Sequence, residues 1–167
     1  MTQPLTPEEL GAILEALDRE PTGKLSELAK IAGLSLVEDY IGVDLSGEDL
    51  SNDNLSNANL SNANLSVADL SGANLRGADL SGVNFRGADL SGTDLRGANL
   101  SYAYLRGANL SYAYFRSANL SYAYLREAKL KAANLSEAKV KQAWFGCNLG
   151  ISERMKQDLI KRGAIFL

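Results

Sequence analysis

The chain has 167 residues, of which 46% are hydrophobic, enough for one packed core, and it carries a net charge of −3. That acidic balance argues against broad attraction to nucleic acid, and the absence of histidine removes the commonest general base and metal ligand. The single Cys147 forms no internal disulfide, which fits a reducing compartment, and no apolar run reaches membrane-spanning length.

The first thirty residues hold Glu8, Glu9, Glu15, Asp18, Glu20 and Glu27 and no unbroken apolar stretch. This argues against a cleaved secretory signal and sets the expectation of a cytoplasmic protein. Thr6-Pro7-Glu8-Glu9 is a capping box with Pro at the first helical position, and Leu5 and Leu10 are placed as a hydrophobic staple. Leu10, Ile13, Leu14 and Leu17 then follow helical spacing until Pro21. A second helix is predicted from about Gly23 to Ala32, with Gly33 as its stop. Residues 25–35 are similar to the first helix and turn of a DNA-binding helix-turn-helix. The segment that would read bases, Leu36-Val37-Glu38-Asp39-Tyr40-Ile41, has two acids and no Lys or Arg, and residues 1–42 hold eight acids against three bases. Phosphate contact needs the reverse, so residues 1–42 are read as a helical cap.

Residues 43–147 are twenty-one consecutive five-residue repeats. The central position is Leu seventeen times, Phe at Phe85, Phe115 and Phe145, and Val at Val140. Two residues earlier stands Ala in sixteen repeats, with Val43, Glu48, Asp53, Val83 and Thr93 as exceptions. Asn or Asp usually lies between them, and Ser or Arg follows the Leu, often with Gly next. On a helix a five-residue step rotates the side chain by roughly 140°, and on a straight strand it flips the face. The chain keeps every Leu inside only by turning a corner in each repeat. Glu48 and Asp53 put carboxylates where Ala should point inward, so a loose or covered first coil is expected there.

The units Ala73-Asn74-Leu75-Arg76-Gly77 and Ala78-Asp79-Leu80-Ser81-Gly82 resemble the A-(D/N)-L-X-X motif of the pentapeptide-repeat family. That resemblance implies a right-handed quadrilateral β-helix, a β-solenoid with four repeats in each coil and about five coils in this chain. A solenoid has an open core at each end and needs caps. Residues 148–167 are read as the second cap. Ser152 is the predicted N-cap of a short helix in which Met155 and Leu159 close the last coil, and Gly163 follows its basic last turn. The apolar tail Ala164-Ile165-Phe166-Leu167 packs across that end or forms a dimer contact.

In a four-sided coil, residues twenty apart stack. Tyr104, Tyr124 and Trp144 then make one aromatic column, and Tyr102 with Tyr122 a second at the adjoining corner; Tyr112 and Tyr114 lie on other sides. Arg86, Arg106 and Arg126 make one arginine column, and Arg76, Arg96 and Arg116 the opposite one. Such ladders stabilise neighbouring coils, and Tyr, Trp and Arg are also the residues favoured at binding hot spots. Asp49, Asp69 and Asp89 form a carboxylate column best read as a solvated face. The sequence offers no catalytic, cofactor-binding or metal-binding constellation. The expectation is a non-enzymatic interaction or scaffold protein with an unidentified protein partner, working as a monomer or through a C-terminal dimer contact, away from membranes and nucleic acid. A branch of the resembled family consists of DNA mimics that act on type II topoisomerases. The ten acids and ten bases of the repeats, with arginine columns among them, speak against that alternative.

Overall fold

A computed structural model describes residues 40–167; the two expected N-terminal helices and the stretch similar to a helix-turn-helix fall outside the described residues. From Val43 onward each repeat follows one course. The N–H three residues after the start of each turn donates back across it, from Val43 to the Tyr40 carbonyl (3.4 Å) through to Ala143 to that of Val140 (3.0 Å). Every fifth residue from Gly42 to Cys147 has a φ between +52° and +77°. Positive φ at the third turn position is what a type II turn requires, which is why Gly and Asn recur there.

Between turns the chain forms ladders. Each outward residue bridges in parallel to the one twenty positions later, as in Asp44 with Asn64, Asp49 with Asp69, Asn54 with Asn74 and Asn59 with Asp79. The Leu45 N–H donates to the Asn64 carbonyl and the Asn64 N–H to the Val43 carbonyl, both at 2.8 Å. Twenty residues are four repeats, so four turns complete each coil and the chain is a β-helix. Its first face runs Asp44, Asn64, Asn84, Tyr104, Tyr124 and Trp144; the second Asp49, Asp69, Asp89, Asn109, Lys129 and Leu149. The third runs Asn54, Asn74, Asp94, Tyr114 and Asn134, and the fourth Asn59, Asp79, Asn99, Asn119 and Lys139.

The central Leu and Phe side chains and the small residues two positions before them fill the axis. Two departures from Ala are absorbed rather than tolerated. Thr93 is buried, and its hydroxyl donates to the Leu70 carbonyl at 2.8 Å. Asp53 is 1% exposed, and its carboxylate accepts the Asn54 N–H at 2.7 Å. Of the two expectations from Glu48 and Asp53, a loose first coil is not what the structure has, and a covered one concerns residues outside those described. The first coil's ladder stays closed, with Leu50 donating to Asp69 at 2.7 Å and Asn74 to Asp53 at 2.8 Å.

The C-terminal end is built by a change of register. Asn148 takes an Ala position, and its side-chain amide donates to the carbonyls of Leu125 and Ala128, groups at the edge of the coil below. Gly150 takes a Leu position at φ +87°, pressed so closely on the backbone of Lys131 that no Cβ fits. Helix α1 (Glu153–Lys161) follows, with the Ser152 hydroxyl accepting the Met155 N–H at 3.2 Å and Leu159 buried against the last coil. Arg162 closes it by donating to the carbonyls of Leu135 (3.0 Å) and Ala138 (2.8 Å). The chain then returns as β2 (Ile165–Phe166), pairing in parallel on β1 (Trp144–Phe145), with Trp144 opposite Ile165 and Phe145 opposite Phe166. Ala164 and Phe166 thus repeat the Ala and Leu positions of one more coil segment, and the Phe145 and Phe166 rings stack at 5.0 Å. The tail packs across the end, as one of its two sequence readings had it.

Candidate functional site

Outward positions on the early coils are occupied by Asn and Asp for a local reason. The Asp44 carboxylate accepts the Ser46 N–H at 3.0 Å, and the pattern repeats at Asp49, Asp69 and Asp89. Asn side chains also bond along the axis, Asn64 to Asp44 (3.0 Å) and Asn84 to Asn64 (2.9 Å). Tyr at these positions loses both interactions. On the first face the rings replace them: Tyr104 and Tyr124 stack at 5.3 Å and 5°. At the corner leading into that face, Tyr102 and Tyr122 stack at 5.0 Å and 4°. Tyr102 is 56% exposed and Tyr104 40%, so the ladder stands at the surface.

The other edge of the first face carries arginines. The Arg86 guanidinium lies over the Tyr104 ring, 5.2 Å from its centroid. Arg106 donates through two nitrogens to Glu127, at 3.1 and 3.0 Å. That hydrogen bond, before any longer-range charge effect, holds the Glu127 carboxyl below its ordinary range and raises the Arg106 guanidinium, so both stay charged. Arg126 lies one coil above Arg106, beside Gly146.

Of the residues singled out in the sequence, Tyr102, Tyr104, Tyr122, Tyr124, Trp144, Arg86, Arg106 and Arg126 therefore gather on one face and its two corners. Tyr112 and Tyr114 do not join them; Tyr114 sits on the third face between Asp94 and Asn134. Along the outward positions of this face ring stacking stops at Tyr124, and Trp144 is half-buried beneath Ile165 of β2. Two members escaped the sequence reading. Glu127 lies twenty-one residues from Arg106, a spacing that gains meaning once the coil length is known. Ile165 extends the face through a tail that no five-residue count reaches.

Elsewhere, a cavity of about 530 Å³ lies between the last coil and α1, lined in part by Leu135, Met155, Asp158 and Arg162. Its charged pair is self-contained, Arg162 to Asp158 at 2.6 Å. Among the described residues no group of His, Cys, Asp and Glu is placed to hold a metal, and no helix is long and apolar enough to cross a membrane.

The repeat lattice matches the family profile described as Pentapeptide repeats in eight copies, over residues 41–72, 73–111 and 108–145. The chain belongs to the pentapeptide-repeat family. Among solved structures it is similar to a pentapeptide repeat protein from Nostoc Pcc 7120, with 32% identity over 89% of this chain and 99% of that one and a TM-score of 0.55. A second is a pentapeptide repeat protein from the Arabidopsis thaliana thylakoid lumen, with 31% identity over 75% of this chain and 81% of that one and a TM-score of 0.36. A third is a trypsin-treated form of QnrB1, a plasmid-mediated fluoroquinolone resistance protein, with 17% identity over 73% of this chain and 97% of that one and a TM-score of 0.38. No curated protein matches with significance. Pentapeptide repeat proteins are in general non-enzymatic structural or interaction proteins.

Proposed function

We propose that this pentapeptide-repeat protein is a non-enzymatic interaction protein that engages a partner protein through the late half of its first face. The observation that carries the reading is the exposed Tyr ladder with an arginine column along its edge. Tyr and Arg concentrate binding energy because each brings a large contact area together with polar tips. Tyr112 and Tyr114 belong to a separate side and serve as the internal control. In this reading residues 43–147 are the binding solenoid, wound right-handed over about five coils. Residues 1–42 and 148–167 close its ends, and the protein acts in the cytoplasm as a monomer or through a C-terminal dimer contact.

The test is the variant carrying Tyr104→Ser and Tyr124→Ser, followed by both thermal melting and partner capture. Loss of the partner from a protein that still melts cooperatively supports the reading. Lost stability with retained capture overturns it, since the ladder would then only brace the coils. The DNA-mimic alternative is answered by a gyrase supercoiling assay, where inhibition near stoichiometric protein would displace the present proposal.

A further inference from the structure

Charge is unevenly distributed along the axis. Residues 43–95 hold eight acids and two bases, whereas residues 96–147 hold two acids and eight bases. The aromatic ladder lies in the basic half. From Asn84 to Trp144 the outward positions of the first face carry no acid. Of the three arginines along its edge, Arg106 is paired to Glu127, while Arg86 and Arg126 make no ion pair among the described residues.

The ring geometry narrows what can bind. Rings that stack at 5.0 and 5.3 Å within 5° of parallel have turned their faces to one another and their edges and hydroxyls outward. A nucleobase needs an open ring face to stack on, and here the facing sides of both pairs are taken and Arg86 lies over Tyr104. A ring edge is the positive side of the aromatic quadrupole, and a tyrosine hydroxyl can donate. Apart from Glu127, which is paired to Arg106, the strip therefore presents donors and positive charge. A duplex is a long continuous polyanion, and the Asp49, Asp69 and Asp89 column on the adjacent face would repel it. A short acidic chain meets only the basic half. Two coil steps separate Arg86 from Arg126, about 10 Å at the usual strand spacing, which an extended chain crosses in about three residues.

We propose that the first face binds an extended acidic segment of a partner polypeptide, its carboxylates on the Arg86, Arg106 and Arg126 column and its backbone beside the Tyr ladder. This rests on the interaction reading above and names the chemistry of the partner. The experiment uses the full chain and fluorescence anisotropy with a short labelled Glu-rich peptide, a Lys-rich peptide, single-stranded DNA and vesicles containing anionic lipid as probes. Replacing Arg86, Arg106 and Arg126 together by Gln is compared with the same change at Arg76, Arg96 and Arg116 on the opposite corner. The Glu-rich peptide should bind in a salt-sensitive way, and the first triple variant should weaken it about tenfold or more while the second changes it little. Equal weakening by both triples, no peptide binding, or tighter binding of DNA or vesicles would overturn the proposal. Capture of the native partner separates this from the reading it rests on. If the Tyr104→Ser, Tyr124→Ser protein loses its partner and the first Arg triple keeps it, the acidic chemistry is wrong and the face stands. If both variants keep it, the face itself is wrong.

Discussion

In the early coils, residues 43–95, the turn residue at positive φ is Gly or Asn at every position except Val67. In the late coils, residues 96–147, Tyr102, Tyr112, Ser117, Tyr122, Glu127, Ala132, Glu137, Gln142 and Cys147 take that conformation instead, and Gly remains at Gly97 and Gly107. For a residue with a Cβ the left-handed conformation costs about 1–2 kcal/mol. The late coils accept that cost where the side chain finds a partner: Tyr102 and Tyr122 stack, Glu127 pairs with Arg106, and Glu137 accepts from Arg116 (3.2 Å) and Ser117 (3.1 Å). Nothing in the structure explains Tyr112, Ala132, Gln142 or Cys147. The early coils follow the easiest backbone, whereas the late coils depart from it to place side chains on the surface. Two halves with one core thus differ in everything the core does not dictate.

If the halves share a core, they should respond alike to its loss. Phe85 in the early coils and Phe115 in the late coils are both fully buried. Phe85→Ala and Phe115→Ala should each cost about 3–5 kcal/mol in urea unfolding. A large gap between the two would break the equivalence and show that one half carries the stability of the solenoid. The surface comparison is tested next. Tyr104→Ser with Tyr124→Ser should destabilise by about 1 kcal/mol beyond the area lost, because a stacked ring pair is removed. Val67 is 71% exposed at φ +62° and gains nothing from its side chain. Val67→Asn, the residue used at the equivalent Asn52, Asn57 and Asn62, should stabilise by roughly 1 kcal/mol, read from the shift in urea midpoint.

The Leu and Ala lattice was legible from the sequence because a five-residue period satisfies neither helix nor straight strand. The coil length was not, since any polygon would bury Leu45 and Leu50; it came from resemblance and is seen in the pairing of Asp44 with Asn64. Once twenty residues per coil are accepted, the Tyr102–Tyr122 and Tyr104–Tyr124 stacks follow from arithmetic. What followed from no period was compensation. Asp53 breaks the pattern but accepts a neighbouring N–H, and Thr93 reaches a carbonyl one coil away. The closing strand escaped for the same reason: Ile165 stands twenty-one residues from Trp144, a spacing set by α1 and not by the repeat.

Acid should weaken both halves, and more gently, since Glu127 and Glu137 in the late coils are also held low, first by hydrogen bonds from Arg106 and Arg116. Asp44 is held below its ordinary 3.8 first by hydrogen bonds from Ser46, and Asp94 first by the hydrogen bond from Arg96. At Asp89 burial works the other way, yet the hydrogen bonds from Ser91 and Asn109 and the charge of Lys129 prevail. These depressed carboxyls bind protons more weakly in the folded chain than in the unfolded one. Their contribution is therefore complete above the unfolded value and lost as pH falls through the folded values beneath it. The melting temperature should be flat from neutral pH to about pH 5 and drop below about pH 4, and Asp94→Asn should shallow the drop.

The smallest expected effect bears most directly on why the late coils differ. Arg106 and Glu127 lie in water on the outer surface, where an ion pair between long side chains gains little after screening and lost side-chain freedom. Arg106→Gln and Glu127→Gln should each leave the urea midpoint nearly unchanged. If instead Glu127→Gln clearly destabilises, the pair is part of what holds a non-glycine residue in the left-handed turn, and the late surface is structural. If it does not, Glu127 occupies a strained position without stabilising the fold in return. The strain at that corner is then best accounted for by what the arginine column meets from outside.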